Sequence, residues 1–383
     1  MADRSVKHHY VPEWYQRRFL APGATAFKIL DLHPEIYRNR FGAEVGRGKI
    51  ILEKGPSAFF YEKDFYTVRW FGQANDDIER LLFGTIDREG ARAISAFIAE
   101  DWETVHHTYW QMFEFMDALR LRTPKGLRFV HLLREARNQQ ELMISMQKMR
   151  RMHCVMWAEG VLEIVSAAQS PTKFIFSDHP VTLFNREVFP ADARVPTGFD
   201  PHLAWVGTQT LFPFDRDRLF VLTHLEWARS KGKAKPTESR TNARYFDNPM
   251  VRYDNCIRGR ELSEQQVSEV NYIIKMRAER YIAANSESDL FPERVLKTRA
   301  WNKLGRFLMP TRALHGFGGD MFAQLGNGSI YFQDEFGRRP KTSSEAEART
   351  KEAQSLIASA RKLIAAHEAK NGLADSHDIK GGE

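Results

Sequence analysis

The chain has 383 residues, 43% hydrophobic and 27% charged, with a formal charge of +7. These values fit one large globular domain or two ordinary ones and exclude wholesale disorder. The start is polar, no run approaches eighteen apolar residues, and the two cysteines, Cys154 and Cys256, lack zinc-thiolate spacing. A reducing, cytoplasmic setting without a secretory signal or a membrane partner is therefore expected.

Pro12 suits the first position of a helix and opens a short one through Leu20. Residues 26–32 (AFKILDL) read as a strand, and 34–55, rich in Gly and charge, as loop. Asp76-Asp77 caps a long helix to Ala99, and a second helix over 103–122 stops at Pro124, which pushes its predecessor out of helical geometry. Helices over 126–138 and 140–168 follow. Residues 173–178 alternate and run into a turn at Asp178-His179-Pro180, and 209–224 read as a hairpin around Asp215-Arg216-Asp217. Residues 231–241 form a polar basic linker. Ser263 and Gln266 make the capping box of a helix to Ala284. An amphipathic tail helix spans 343–370, with Leu356, Ile357, Leu363 and Ile364 on one side and a disordered end behind it. The pattern is α+β, predominantly α-helical with a small central β element. We expect one domain over 1–290 and a C-terminal extension over 291–383.

Charge is uneven. Residues 117–151 carry nine Lys/Arg against three Asp/Glu, and 229–260 carry the same numbers. If these segments meet, they form a field for polyanions such as nucleic acid; if not, each is a solvated face or a flexible loop. Common catalytic signatures are missing. There is no HExxH and no GxSxG, and 43–50 (AEVGRGKI) lacks the first glycine and the hydroxyl of a phosphate loop.

Polar residues at apolar positions are the informative ones. Glu89 falls inside the stripe of Ile78, Leu82, Ile86, Ala93 and Phe97. It is either paired with an arginine, at a wet stripe edge, or part of a site. Asn271 sits among Val267, Val270 and Ile274, where a buried amide either ties down a loop or orients a site residue. His153, between Met149 and Met156, reads as a core histidine. His8 and His9 are adjacent, so their side chains point apart and only one of them serves a given site. Ser177 and Asp178 end a strand, where sites and simple Asx-turns are both built.

Taken together, these pieces resemble domain-of-unknown-function family 4238. Its HHYVP motif stands here as His8-His9-Tyr10-Val11-Pro12, followed by Trp14-Tyr15 and Arg17-Arg18-Phe19. Lys63-Asp64-Phe65-Tyr66 resembles its next block. Ile78-Glu79 with Glu89, then Arg122-Thr123-Pro124, Phe174 to Val181 and Phe212-Pro213 match later ones. The resemblance spans roughly Lys7 to Ala284. At His179 the family typically has Asn, which argues against a catalytic part for that histidine.

The resemblance implies that His9, Glu89, Arg122, Ser177 and Asp178 form one set. That is the inventory of a hydrolase, a metal-dependent nuclease or phosphodiesterase. His8 or His9 supplies a base; His9, Glu89 and Asp178 hold a divalent metal such as Mg²⁺ or Mn²⁺; Arg122 clamps phosphate; Asn271 orients. The alternative is a non-catalytic module that binds nucleic acid or protein, with the polar set as a buried structural network. Convergence of these side chains on one open cleft separates the two.

Overall fold

The computed structural model describes residues 7–371 except 39, 42–43, 47–49, 67, 71–72, 76–82, 150–151, 197, 230–234, 241–255, 311–320, 325–329, 334–338 and 341. Strands β1 (Lys7–His9), β2 (Phe27–Asp31), β3 (Ile36–Arg38), β4 (Glu44–Gly46), β5 (Ile51–Lys54), β6 (Tyr61–Lys63), β7 (Val68–Trp70) and β8 (Gln73–Asn75) surround one short helix, α1 (Glu13–Arg17). Helices α2 (Gly84–Ala99), α3 (Trp102–Arg122), α4 (Pro124–Arg134), α5 (Gln139–Met149) and α6 (Met152–Ala158) follow. Next come β9 (Val161–Ser166), β10 (Phe176–Ser177), β11 (Thr182–Phe184), β12 (Gln209–Pro213), β13 (Arg218–Thr223), α7 (Leu225–Arg229), β14 (Cys256–Glu261), α8 (Glu264–Arg277) and β15 (Tyr281–Ala284). The class is α+β, weighted to helix, as the alternation of patterns predicts.

Two sheets carry the architecture. One runs β10-β15-β2-β5 and is antiparallel throughout. The other runs β11-β12-β13-β9-β14, antiparallel except for the β14–β9 pair. An aromatic core joins α1 to both sheets: Phe19 lies 4.6 Å from Phe176, and Tyr15 stacks on Phe212 at 5.4 Å. Burying this many rings supplies much of the apolar driving force.

Where residues 140–168 predict one helix, the chain forms α5, α6 and then β9. The run Val161–Ser166 is β-branched, follows Gly160, and is buried by pairing with β13 from Leu219↔Val165 to Thr223↔Val161. Periodicity alone does not separate a buried strand from a buried helix. The helix that begins with the Ser263–Gln266 capping box stops at Arg277, and Tyr281–Ala284 becomes β15. Within 34–55, read as loop, β3 pairs with β4 and β5 joins β2. The expected cap at Asp76-Asp77, much of the basic linker and the end of the tail lie outside the described residues.

The chain separates into two compact units, residues 1–240 with 245–315, and residues 241–244 with 316–383. The first unit thus runs on past residue 290, with Trp301, Leu304 and Leu308 buried in its core. In the second unit, β16 (Met321–Gln324) pairs with β17 (Ile330–Gln333), and α9 (Ser343–Asn371) follows. Ala353 is buried, whereas Leu356, Leu363 and Ile364 are exposed. No helix among the described residues is long and apolar enough to cross a membrane.

Candidate functional site

Strand alternation separates the two adjacent histidines. His8 is wholly buried, lies parallel to the Tyr66 ring at 5.6 Å, and accepts the Tyr66 backbone N–H at Nδ1 (3.0 Å). Its partner Tyr66 donates its hydroxyl to the Arg122 carbonyl at 2.7 Å. His9 faces the other way. It packs on Tyr61, and its Nε2 lies 3.7 Å from Glu13. Burial lowers the His9 pKa, and Glu13 opposes that shift.

Ser177, Asp178 and Asn271 act on backbone. Ser177 Oγ accepts the His179 N–H at 3.1 Å and shapes the turn. Asp178 accepts three N–H groups, from Glu279 at 2.9 Å, Arg280 at 2.7 Å and Tyr281 at 2.9 Å. It thereby fixes the passage from α8 into β15. Burial pushes its carboxyl up to about 6, against the pull of these donors. Asn271 donates to the Lys173 carbonyl at 2.8 Å and accepts the Ile175 N–H at 3.2 Å, clamping the approach to β10.

Arg122 has a carboxylate partner, but it is Asp87 at 2.8 Å rather than Glu89. Burial raises the Asp87 pKa while Arg122 pulls it down. Glu89 lies at the edge of α2, where its nearest cation is Arg88 at 3.4 Å. The buried arc of α2 includes Ile94 as well as Ile86, Gly90 and Phe97, which turns Asp87 rather than Glu89 toward the interior. Thus the sequence-derived set divides among five local settings. The three expected metal ligands, His9, Glu89 and Asp178, have separate neighbours. Among the described residues, no group of three or more His, Cys, Asp or Glu is placed to hold a metal ion.

A different cluster surrounds a cavity of about 190 Å³ between α3, α4 and the 194–205 segment. Its polar walls include Arg120, Lys125, His153, His179, Asp200 and His202, and its apolar walls include Phe129, Leu132, Leu133 and Met149. Gly126 lets α3 and α4 meet here, because a Cβ at that position would fall 2.1 Å from the Arg120 carbonyl oxygen. Thr123 caps α4 by accepting the Gly126 N–H at 3.1 Å. The Arg-Thr-Pro string is therefore a helix junction, with Pro124 at the first helical position.

Inside the cluster, His179 Nδ1 meets Thr123 Oγ1 at 2.7 Å, and His179 Nε2 meets Asp200 at 3.1 Å. Lys125 donates to Asp200 at 2.6 Å and to the Arg277 carbonyl at 2.7 Å. Burial alone would raise the Asp200 pKa, but Lys125 and His179 hold it well below the usual carboxylate range. Burial lowers all three cavity histidines, 153, 179 and 202, so each imidazole is neutral near pH 7. Neutral His179 then donates from Nε2 to Asp200 and accepts the Thr123 hydroxyl at Nδ1. Thr123, His179 and Asp200 have the connectivity of a nucleophile, base and orienting acid. The hydroxyl, however, is wholly buried and is not among the cavity walls.

Deeper in, Arg120 Nη2 reaches Asp117 at 3.4 Å and His153 Nδ1 at 3.1 Å, and His153 lies 2.9 Å from Asp117. Arg120 is 5% exposed, and its buried Nε has no hydrogen-bond partner. Reading for buried polar residues missed this pair. The signal was present in α3, where Asp117 and Arg120, three residues apart, fall on the same buried face as Phe113 and Met116. His153, read as a core histidine, is buried and partnered by Asp117, and it also lines the cavity.

No curated protein and no solved structure matches the chain. A family model matches residues 7–288, which take in β1 with its histidine pair, the α3–α4 junction, the Ser177-Asp178 turn and α8. The chain belongs to the family described as Protein of unknown function (DUF4238).

Proposed function

We propose that this chain is a non-catalytic binding module. In this reading the polar residues of its family motifs are a buried framework, and the α3–α4 cavity is its ligand site. The carrying observation is the contrast between the two groups. Asp178 and Asn271 are committed to backbone hydrogen bonds, whereas Lys125, His153, His179 and Asp200 stand around about 190 Å³ of open space. A concave site with a few convergent polar groups among apolar walls is the usual form of a small-molecule pocket.

The cavity suits a small molecule better than a polymer. Its volume is near that of cavities of about 150 Å³ that accept benzene. The basic segment 117–151 also turns part of its charge inward. Arg120, Arg122 and Lys125 are buried against Asp117, Asp87 and Asp200, which weakens the polyanion field inferred from composition.

A thermal-shift screen of small molecules, run beside a nuclease and phosphodiesterase assay with Mg²⁺ and Mn²⁺, tests this reading. Stabilising ligands without turnover are expected. Turnover abolished in both His9→Ala and Asp178→Ala, with folding intact, would instead establish the hydrolase reading. Salt-dependent binding of nucleic acid in the absence of small-molecule ligands would move the site to the surface.

A further inference from the structure

We infer that the cavity takes an uncharged, largely apolar molecule of about one ring and disfavours ions of the same size. This rests on the binding-module reading above and deepens it by naming the class of ligand. Three observations carry it.

The first is charge balance. Each charged wall of the cavity already has its counter-ion. Lys125 meets Asp200 at 2.6 Å, Arg120 meets Asp117 at 3.4 Å, and Arg194 meets Asp192 at 2.7 Å. The cavity histidines are neutral near pH 7. The walls and their partners therefore sum to zero. An entering ion would leave water without meeting an unpaired opposite charge, which is unfavourable, whereas a neutral molecule incurs no such cost.

The second is the commitment of the polar walls to one another. His179 uses both ring nitrogens, toward Thr123 and Asp200. His153 is held between Asp117 and Arg120. Lys125 donates to Asp200 and to the Arg277 carbonyl. Groups satisfied in this way fix the walls and ask little of a ligand, so a molecule with few polar atoms leaves none of these bonds broken. The aromatic walls do not favour an organic cation either. A guanidinium already lies over each of two rings, Arg120 over Phe129 at 5.6 Å and Arg128 over Phe199 at 6.0 Å, and a cationic ligand at those rings would meet like charge.

The third is size and surface. The volume of about 190 Å³ exceeds the roughly 150 Å³ that holds benzene, which leaves room for one ring and a short substituent. Most of the open lining is apolar, from side chains such as Phe129, Met149, Val195 and Phe199. Leu132 and Leu133, also in the lining, remain 50% and 54% exposed. An apolar ligand releases this concave surface from water, and that release is the driving force for its binding.

The test is calorimetric titration of the full chain at pH 7 with four one-ring probes. Toluene and benzyl alcohol are neutral; benzoate and benzylammonium are not. Each neutral probe is expected to bind at least tenfold more tightly than either ion. Leu133→Asp, at an exposed position, should fold normally and lose toluene affinity severalfold. Val195→Phe, which places a ring in the cavity, should lose it tenfold or more. Either ion binding as tightly as toluene would overturn the inference while leaving the cavity as a ligand site. Toluene affinity unchanged in both variants would also overturn it, since the neutral ligand would then sit elsewhere. Absence of binding by all four probes at millimolar concentration would overturn the inference alone; the binding-module reading is then decided by the wider thermal-shift screen and the turnover assay. The comparison of neutral with charged probes uses the natural chain, so it stands even if Val195→Phe fails to fold.

Discussion

Asp178 and Tyr281 are joined by a 2.9 Å hydrogen bond from the Tyr281 N–H to the Asp178 carboxylate, across 103 residues of sequence. With the neighbouring bonds from Glu279 and Arg280, one side chain holds the start of β15 against the end of β10. A motif residue that resembles a catalytic acid thus has its acceptor capacity taken up by backbone.

Removing that carboxylate should therefore cost stability. Asp178→Ala leaves three buried N–H groups without their acceptor and should cost about 3 kcal/mol or more. Asp178→Asn keeps one acceptor oxygen, able to serve Arg280 and Tyr281, and should cost about half as much. Urea unfolding monitored by circular dichroism measures both. Losses below 1 kcal/mol in each would contradict the framework role.

The two carboxylates of α2 should behave oppositely. Glu89→Ala, at a half-exposed position beside Arg88, should change stability by less than about 0.5 kcal/mol. Asp87→Ala removes the carboxylate 2.8 Å from wholly buried Arg122 and should cost about 3 kcal/mol. A double-mutant cycle with Arg122→Met should recover a coupling above 1 kcal/mol. If Glu89→Ala proves the costlier change, the pairing described here is wrong.

These two residues also show how far the sequence could be read. Period-2 alternation correctly turned His8 and His9 to opposite sides, and the Ser263–Gln266 capping box correctly opened α8. The stripe argument on α2 allowed a wet edge for Glu89, where it lies, but did not single out Asp87, the carboxylate that meets Arg122. A helical wheel locates a face only to within a residue, and the width of the buried arc depends on what packs against it. The cavity was harder to see. Its polar walls come from α3, α4, α6, the turn at His179 and the loop at Asp200, and no local pattern links them. His179, set aside because the resembled family has Asn there, is hydrogen-bonded at both ring nitrogens within this cluster. Asp117 and Arg120 were legible in principle, as an i, i+3 polar pair on an otherwise apolar helix face.

The junction that builds the cavity is tightly constrained. In Gly126→Ala the new methyl would fall 2.1 Å from the Arg120 carbonyl and 2.7 Å from that of Leu121, both backbone atoms that cannot swing aside. A cost of about 3 kcal/mol is expected from this overpacking. A urea unfolding curve of that variant measures the cost. Unchanged stability would mean that the two helices approach less closely than described.

Buried neutral histidines should make the protein acid-sensitive well above the carboxylate range. His224 donates from Nε2 to the Leu203 carbonyl at 2.8 Å and accepts from Arg240 at Nδ1 (3.1 Å), so a second ring proton would face a guanidinium donor. Burial, assisted by Arg240, lowers its pKa to about 3. The folded state therefore keeps the ring neutral, while the unfolded chain protonates it below about pH 6.5. The contribution is fully present above that value and declines as pH falls toward 3. At pH 5 it amounts to a loss of about 2 kcal/mol relative to pH 8. His153 and His179, also lowered by burial, act in the same direction. Urea midpoints taken between pH 8 and pH 5 should fall accordingly. In His224→Gln, whose amide can give and accept the same two hydrogen bonds, that fall should shrink by about 2 kcal/mol. An identical pH slope in the variant would mean that the His224 ring takes up its proton without leaving the native state.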